Sequence, residues 1–200
     1  MKIYIYFILA SFAPIACKAQ SPIYDISEPS SEKIPGSYFK DLNELLDGYD
    51  GTYLYTKDNT SLKIVLKKKV LSYGYHYQDL VVGEFQFIKN SIEIHNTLAN
   101  ININYIDEEI NHLITGNRIL EGNIYGCPDC LPTEKRLRLS FVDEKAHRII
   151  GIDIRKTIVN NLPAINVTIF DEGSTTIFKV GDPRPSTPIL EFGDYLMIKQ

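Results

Sequence analysis

The chain has 200 residues, of which 44% are hydrophobic and 23% charged, and its formal net charge is −4. This composition is that of a folded globular protein, and the length fits one domain, alone or with a targeting segment. An acidic chain without a basic stripe binds phosphate backbones poorly, which disfavours nucleic acid as a partner.

Residues 1–19 have the pattern of a signal peptide. Met1-Lys2 gives a positive start, and Ile3 to Ile15 form an uncharged, mostly apolar run. That run suits a signal core and is too short to span a bilayer. We therefore expect an extracytoplasmic protein.

Two processing sites compete. Cleavage before Gln20, after Cys17-Lys18-Ala19, would release a secreted or periplasmic chain. Alternatively, Pro14-Ile15-Ala16-Cys17 resembles a bacterial lipobox, although Pro14 stands where a Leu-like residue is expected. Cleavage before Cys17 would leave this cysteine lipidated and the protein anchored to the outer membrane. The lipid on Cys17 would then be the only membrane contact that we expect.

The chain after the signal divides into a linker and a domain. Residues 20–36 are rich in Ser, Pro and Glu, which is typical of a flexible linker. Residues 37–200 then form the predicted domain. Without residues 1–19 the chain has 19 basic and 25 acidic residues, so it remains acidic.

The cysteine count supports export. Cys17 is removed or lipidated, which leaves Cys127 and Cys130 as a pair in a loop with Gly126, Pro128 and Pro132. An oxidising compartment favours a local disulfide between them. A redox or metal site is the alternative, but one CxxC is half a zinc site and no second half is present.

One helix is predicted, over Ser37 to Asp47. Tyr38, Leu42, Leu45 and Tyr49 have helical spacing, Ser37 can cap the start, and Gly48 supplies a stop.

The period changes to two from Gly51 onward. Lys57-Asp58-Asn59-Thr60 has the composition of a hairpin turn, and Lys67-Lys68-Lys69 that of a solvated strand end. The predicted strands are Gly51 to Thr56, Leu62 to Leu66, Leu80 to Ile88, Ser91 to Leu98, Ile119 to Tyr125, Arg136 to Val142, Ile149 to Lys156, Ala164 to Phe170, Thr175 to Val180 and Tyr195 to Lys199. Alternating short strands of this kind predict an all-β fold, a single antiparallel β-barrel with a short N-terminal α-helix, with a β-sandwich as the alternative.

Two resemblances bear on the fold. A helix leading into Gly51-Thr52-Tyr53 resembles the entry of lipocalin-like barrels, where a Gly-x-Trp signature begins the first strand; Tyr53 replaces the Trp. More widely, the Cys-Lys-Ala-Gln ending of the signal, the run from Asn59 to Ile64, the run from Leu80 to Phe87 and the terminal Ile198-Lys199-Gln200 are similar to a Bacteroidetes family of secreted proteins or lipoproteins known only as a domain of unknown function. That resemblance implies export and a β fold, and it implies no active site.

No catalytic, nucleotide-binding or metal-binding motif is present in the sequence, so we predict no enzyme and no cofactor. The four histidines, His76, His95, His112 and His147, lie in different segments. Adjacent strands could bring His76 and His95 together near Glu84. Asp107-Glu108-Glu109 lacks the alternating spacing of a calcium loop.

Aromatic residues are the remaining functional hint. The candidate ligand-binding residues are Tyr53, Tyr55, Tyr73, Tyr75, Tyr77, Phe85 and Phe87. Tyrosine suits a ligand cup or a contact surface, but it also favours strands. We therefore expect a non-enzymatic binding module for a small apolar ligand or peptide, or else a structural or interaction protein whose partner is an envelope protein.

Overall fold

The computed structural model describes residues 22–28, 35–74, 76–124, 126–175 and 186–200, and these residues contain eleven strands. The strands are Ile23–Asp25 (β1), Tyr38–Lys40 (β2), Gly51–Lys57 (β3), Thr60–Tyr73 (β4), Tyr77–Lys89 (β5), Ile92–Asn96 (β6), Ile114–Glu121 (β7), Lys135–Asp143 (β8), Arg148–Val159 (β9), Leu162–Ser174 (β10) and Gly193–Lys199 (β11). Three short helical segments accompany them: 3₁₀ turns at Asp47–Tyr49 and Leu98–Asn102 and one α-helix at Glu108–Asn111 (α1).

Eight of these strands close into an antiparallel barrel, as predicted. The order around the wall is β3, β4, β5, β7, β8, β9, β10 and β11, and β11 returns to β3 through Ile198↔Leu54 and Lys199↔Tyr53. Closure of the sheet on itself excludes the sandwich alternative. We call the end with the turns at 58–59, 90–91 and 144–147 the upper end of the barrel, and the opposite end the lower end.

Strand alternation builds the core. Successive side chains of a strand point to opposite faces, so one apolar set from each strand fills the barrel. Leu62, Ile64 and Leu66 of β4 pack with their counterparts on the other strands in one buried cluster. The counterparts on the remaining strands include Phe85, Phe87, Leu137, Leu139, Ile152, Ile154, Ile165, Val167, Tyr195 and Met197.

The predicted helix over residues 37–47 is wrong. Tyr38–Lys40 form β2 instead, which pairs in parallel with β5 through Tyr38↔Tyr77 and Phe39↔Gln78, and only Asp47–Tyr49 make a 3₁₀ turn. Tertiary contacts override the helical spacing in this segment. Phe39 and Leu46 are its buried apolar residues, whereas Leu42, which the helix would have buried, is exposed.

Three further expectations change. The predicted linker contains a strand, since β1 pairs in parallel with β2. Lys67-Lys68-Lys69 do not end a strand, because β4 continues to Tyr73. The strand predicted from Ile119 begins five residues earlier, at Ile114.

Several predictions lie outside the described residues. These are the signal peptide over residues 1–19 with Cys17, the side chain of Tyr75 and most of the strand from Thr175 to Val180. In the part of the chain that is described, no helix has the length and apolar character needed to cross a membrane.

Candidate ligand-binding site in the barrel wall

The predicted aromatic residues do not share one pocket. Tyr53, Phe85 and Phe87 belong to the packed core. Tyr55 is half-buried against Tyr195, with ring centroids 4.9 Å apart. Tyr73 and Tyr77 contact each other at the lower end, at 5.3 Å. Tyr75 is not described.

The wall of the barrel has an opening where β5 changes its partner. Val81 to Gly83 pair with β7, whereas Gln86 to Lys89 pair with β6. On the far side of the opening, β7 first pairs with β8 at Thr115↔Ser140. Among the described strands β6 pairs only with β5, so the upper part of β8 faces β6 across a gap.

This gap holds a cavity of about 660 Å³, which we call the wall cavity. Its apolar lining comes from Ile110, Leu113, Phe141, Val142 and Ile189. Its polar lining includes Glu84, His95, His112, Ser140 and Asp143. A volume of this size suits a small organic molecule.

Glu84 lies at the point where β5 changes partner, in a chain of ionisable side chains. Its Oε1 is 2.9 Å from Nδ1 of His112 and also accepts from the amide of Leu113 at 3.4 Å. On the other side of the ring, Nε2 of His112 is 3.0 Å from Oε2 of Glu108. Glu108 in turn binds Nζ of Lys69 at 3.0 Å. Glu84 and His112 are both fully buried.

The outer end of this chain is ionised. Burial alone would raise the pKa of Glu108, but the hydrogen bonds from Lys69 and from the Tyr105 backbone, with the Lys69 charge, hold that pKa below its usual value. The side chain of Tyr105 packs edge-on against the His112 ring, with centroids 5.0 Å apart. Glu108 and Tyr105 thus fix the ring from two sides.

Among the described residues that line the cavity, Oε2 of Glu84 and Nε2 of His95 are buried without a hydrogen-bond partner. Nε2 of His112 also makes no hydrogen bond, although it lies 3.0 Å from Oε2 of Glu108. Such atoms are uncommon in folded proteins, and each one left without a partner costs about 1–3 kcal/mol. The His95 ring packs on Phe85 at 4.9 Å, and its pKa is lowered by burial and then by the charge of Lys145.

The suggested meeting of His76 and His95 does not occur. His76 lies before β5 and packs edge-on against Phe39 at 4.6 Å, whereas His95 is placed across from Phe87. About 35 Å of strand separates His76 from Phe87. The histidine that meets Glu84 is His112, which the sequence did not single out. No group of three or more metal-ligating side chains occurs in the described ranges.

Cys127 and Cys130 lie at disulfide distance, with Cα atoms 5.4 Å apart. Their loop joins β7 to β8 at the lower end and is held down by Arg155 of β9. The guanidinium binds Asp129 at 3.0 Å and Glu134 at 2.9 Å. The two cysteines therefore form a local clamp, separate from the wall cavity.

The fold and the site define a class of protein: a small closed antiparallel β-barrel whose wall contains a cavity lined by both apolar and polar side chains. The chain belongs to the Family of unknown function (DUF6705), whose model matches residues 1–200. This confirms the unknown-function part of the family resemblance; the Bacteroidetes and lipocalin-like parts stay predictions. No curated protein and no solved structure matches the chain.

Proposed function

We propose that this protein is a non-enzymatic binding module that holds a small ligand with an apolar body in the wall cavity. The observation that carries the proposal is the cavity itself, about 660 Å³ with apolar walls and two unpartnered polar atoms. Mostly apolar cavities with a few placed polar groups are the usual form of small-molecule sites.

The barrel interior is the less suitable place for the ligand. Tyr53, Phe85 and Phe87, which a lipocalin-like site would use, are each at most 2% exposed and pack in the core. A ligand there would have to displace core side chains, and packed interiors resist such displacement. The wall cavity requires no such rearrangement.

Native mass spectrometry of the protein purified from its own cells tests this proposal. We expect an added mass of a few hundred daltons that organic solvent releases. Ser140→Phe would fill the cavity from β8 and remove that mass. Thr157→Phe is the matched control, because Thr157 lies on β9 and does not line the cavity. A ligand retained equally by both variants would refute the location.

A second candidate, an interaction protein of the cell envelope, is favoured by an apolar patch at the upper end. Ile92, Ile94 and Phe192 are 64%, 50% and 48% exposed. Exposed apolar patches often mark partner surfaces. Ile94→Asp would then abolish cross-linking to an envelope protein and leave ligand content unchanged.

We also propose export, either with release or with a lipid anchor on Cys17. The support is the order of positive start, apolar run and processing site in residues 1–19. An anchored protein partitions into detergent, and its Cys17→Ser variant does not. Equal partitioning of the two forms would exclude the anchor.

A further inference from the structure

We propose that the wall cavity selects ligands whose polar end is an amine, bound by Glu84. This inference rests on the proposed function and names the chemistry of its ligand.

The position of Glu84 is the first step. Leu80, Val82 and Glu84 alternate with the core residues of β5, so all three point to the outer face of the wall. Leu80 and Val82 are buried there beneath Ile101. An apolar residue at position 84 would continue this buried apolar surface. A fully buried carboxylate at this position costs free energy unless hydrogen-bond donors surround it.

The protein supplies donors to one half of that carboxylate. Oε1 of Glu84 contacts Nδ1 of His112 and accepts a hydrogen bond from the Leu113 amide. Oε2 has no hydrogen-bond partner among the described residues. An ionised carboxylate offers about four acceptor sites. The cavity-lining carboxylate is therefore left with unused acceptor capacity.

His95 is not part of this acceptor site. It pairs with Phe87 and its ring packs on Phe85, and both of these side chains point into the core. Glu84 points to the opposite, outer face of the same strand, so its carboxylate is the acceptor that the proposal uses.

A buried carboxylate oxygen without a donor calls for a ligand that carries N–H groups. A primary ammonium has three such donors and a positive charge, and a charge-assisted hydrogen bond to a carboxylate is about twice as strong as a neutral one. Among the described residues, the lining has four acidic side chains, Glu84, Glu109, Asp143 and Glu144, and one lysine, Lys145. Like charge would disfavour an anionic ligand.

His112 and Glu108 are positioning residues for this receptor. The ring is fixed between the two carboxylates at 2.9 and 3.0 Å, and Lys69 holds Glu108. This arrangement keeps Oε1 of Glu84 engaged and its second oxygen in place at the wall.

The test uses four probes with one chain length: n-octylamine, octyltrimethylammonium, n-octanol and octanoate. Isothermal titration calorimetry on the full chain at pH 7 should show octylamine binding at least tenfold more tightly than octanoate. Octyltrimethylammonium, which has charge but no N–H donor, should fall between them. Equal affinity for the amine and the carboxylate would overturn the inference.

Variants locate the effect. Glu84→Gln should weaken octylamine binding at least tenfold, with an unchanged circular dichroism spectrum. Glu121→Gln makes the same charge change at an exposed position at the end of β7 and should alter affinity less than twofold. If Glu84→Gln folds and keeps the amine preference, the inference is overturned. If it does not fold, the ranking of the four probes on the parent protein decides.

The two proposals fail differently. If octanol and octanoate bind as well as octylamine, and Ser140→Phe blocks all of them, the cavity is a ligand site without amine selectivity. If none of the four probes binds at millimolar concentration, both the inference and the proposed function are wrong.

Discussion

Asp41 shows how single buried carboxylates organise the lower end of the barrel. Its side chain accepts from the amides of Leu45 and Leu46 at 2.7 and 2.9 Å and from Nζ of Lys68 at 2.8 Å. Burial opposes its ionisation, but the hydrogen bond from Lys68 and those from the two amides outweigh burial and hold the pKa of Asp41 below its usual value. The middle lysine of the basic run is thus part of an internal ion pair, and the irregular segment before β3 is fixed by one side chain.

Asp41→Asn should therefore lower the free energy of unfolding by about 2–4 kcal/mol, because it removes the buried carboxylate that pairs with Lys68 and leaves an amide without its acceptor. Urea denaturation measures this loss. Asp47→Asn is the control, because Asp47 also contacts Lys68 but its side chain is 52% exposed. This variant should lower the free energy of unfolding by less than about 1 kcal/mol. Equal losses in the two variants would show that burial of Asp41 does not matter.

Tyr53 gives a pH-dependent prediction at the same scale. Burial, and then the charge of Asp50, raise its pKa to about 12. A raised folded-state pKa means that the stabilisation is complete below the unfolded value of about 10 and is lost as pH rises through the folded value. Tyr53 also donates a hydrogen bond to the Tyr49 carbonyl at 3.1 Å.

Tyr53→Phe should accordingly be less stable than the parent at pH 8, and the difference should shrink between pH 10 and 12. Unfolding in urea at several pH values measures it. A difference that stays constant with pH would mean that Tyr53 ionises as easily in the folded chain as in the unfolded one.

At the scale of elements, β9 and β10 are joined by a cross-strand pair on the outer face. Gly151 lies directly opposite Phe170, and the Phe170 ring covers the glycine so closely that a Cβ atom there would overlap it. The Arg138 guanidinium also lies over this ring, 4.8 Å from the centroid. Glycine is required at position 151 by the Phe170 ring rather than by its own backbone angles.

Gly151→Ala should therefore destabilise the protein by about 1–3 kcal/mol, since the Phe170 ring must leave its present position to make room for the added methyl group. In a Phe170→Ala background the same change should be neutral or stabilise by about 0.5 kcal/mol, because alanine is the better strand residue. A double-mutant cycle measures this coupling. Additive effects would show that the ring does not constrain position 151.

Strand elements were predictable because Leu137, Leu139 and Phe141 alternate with polar residues and all three lie in the core. The segment 37–47 was not, because its apolar spacing also fits a helix and the parallel pairing of Tyr38 with Tyr77 is a long-range contact. The same holds for the site. Glu84 and His112 are 28 residues apart and meet only because β5 exchanges β7 for β6. No local pattern encodes that exchange.

For the molecule as a whole, closure of the barrel depends on two short seams. One joins Val81 to Gly83 with β7, and the other joins Ile198 and Lys199 with β3. The paired region between β9 and β10 is far longer, with twelve register pairs. The wall cavity lies beside the first seam, so a bound ligand would cover one of the two least paired parts of the wall and stabilise the closed barrel.

The disulfide contributes separately from closure, and its removal tests that separation. Cys127 and Cys130 are only three positions apart, so their bond restricts a very short loop and is worth about 2 kcal/mol in the chain-entropy account. The loop also keeps its contacts from Arg155 to Asp129 and Glu134. We expect the Cys127→Ser, Cys130→Ser double variant to retain the far-ultraviolet circular dichroism spectrum of the barrel. Its free energy of unfolding in urea should fall by about 2 kcal/mol.

Adding Arg155→Met to this double variant should speed hydrogen exchange of residues 127–134 and leave β4 and β5 protected. Loss of the whole barrel on removing the two cysteines would show instead that this loop holds the wall together.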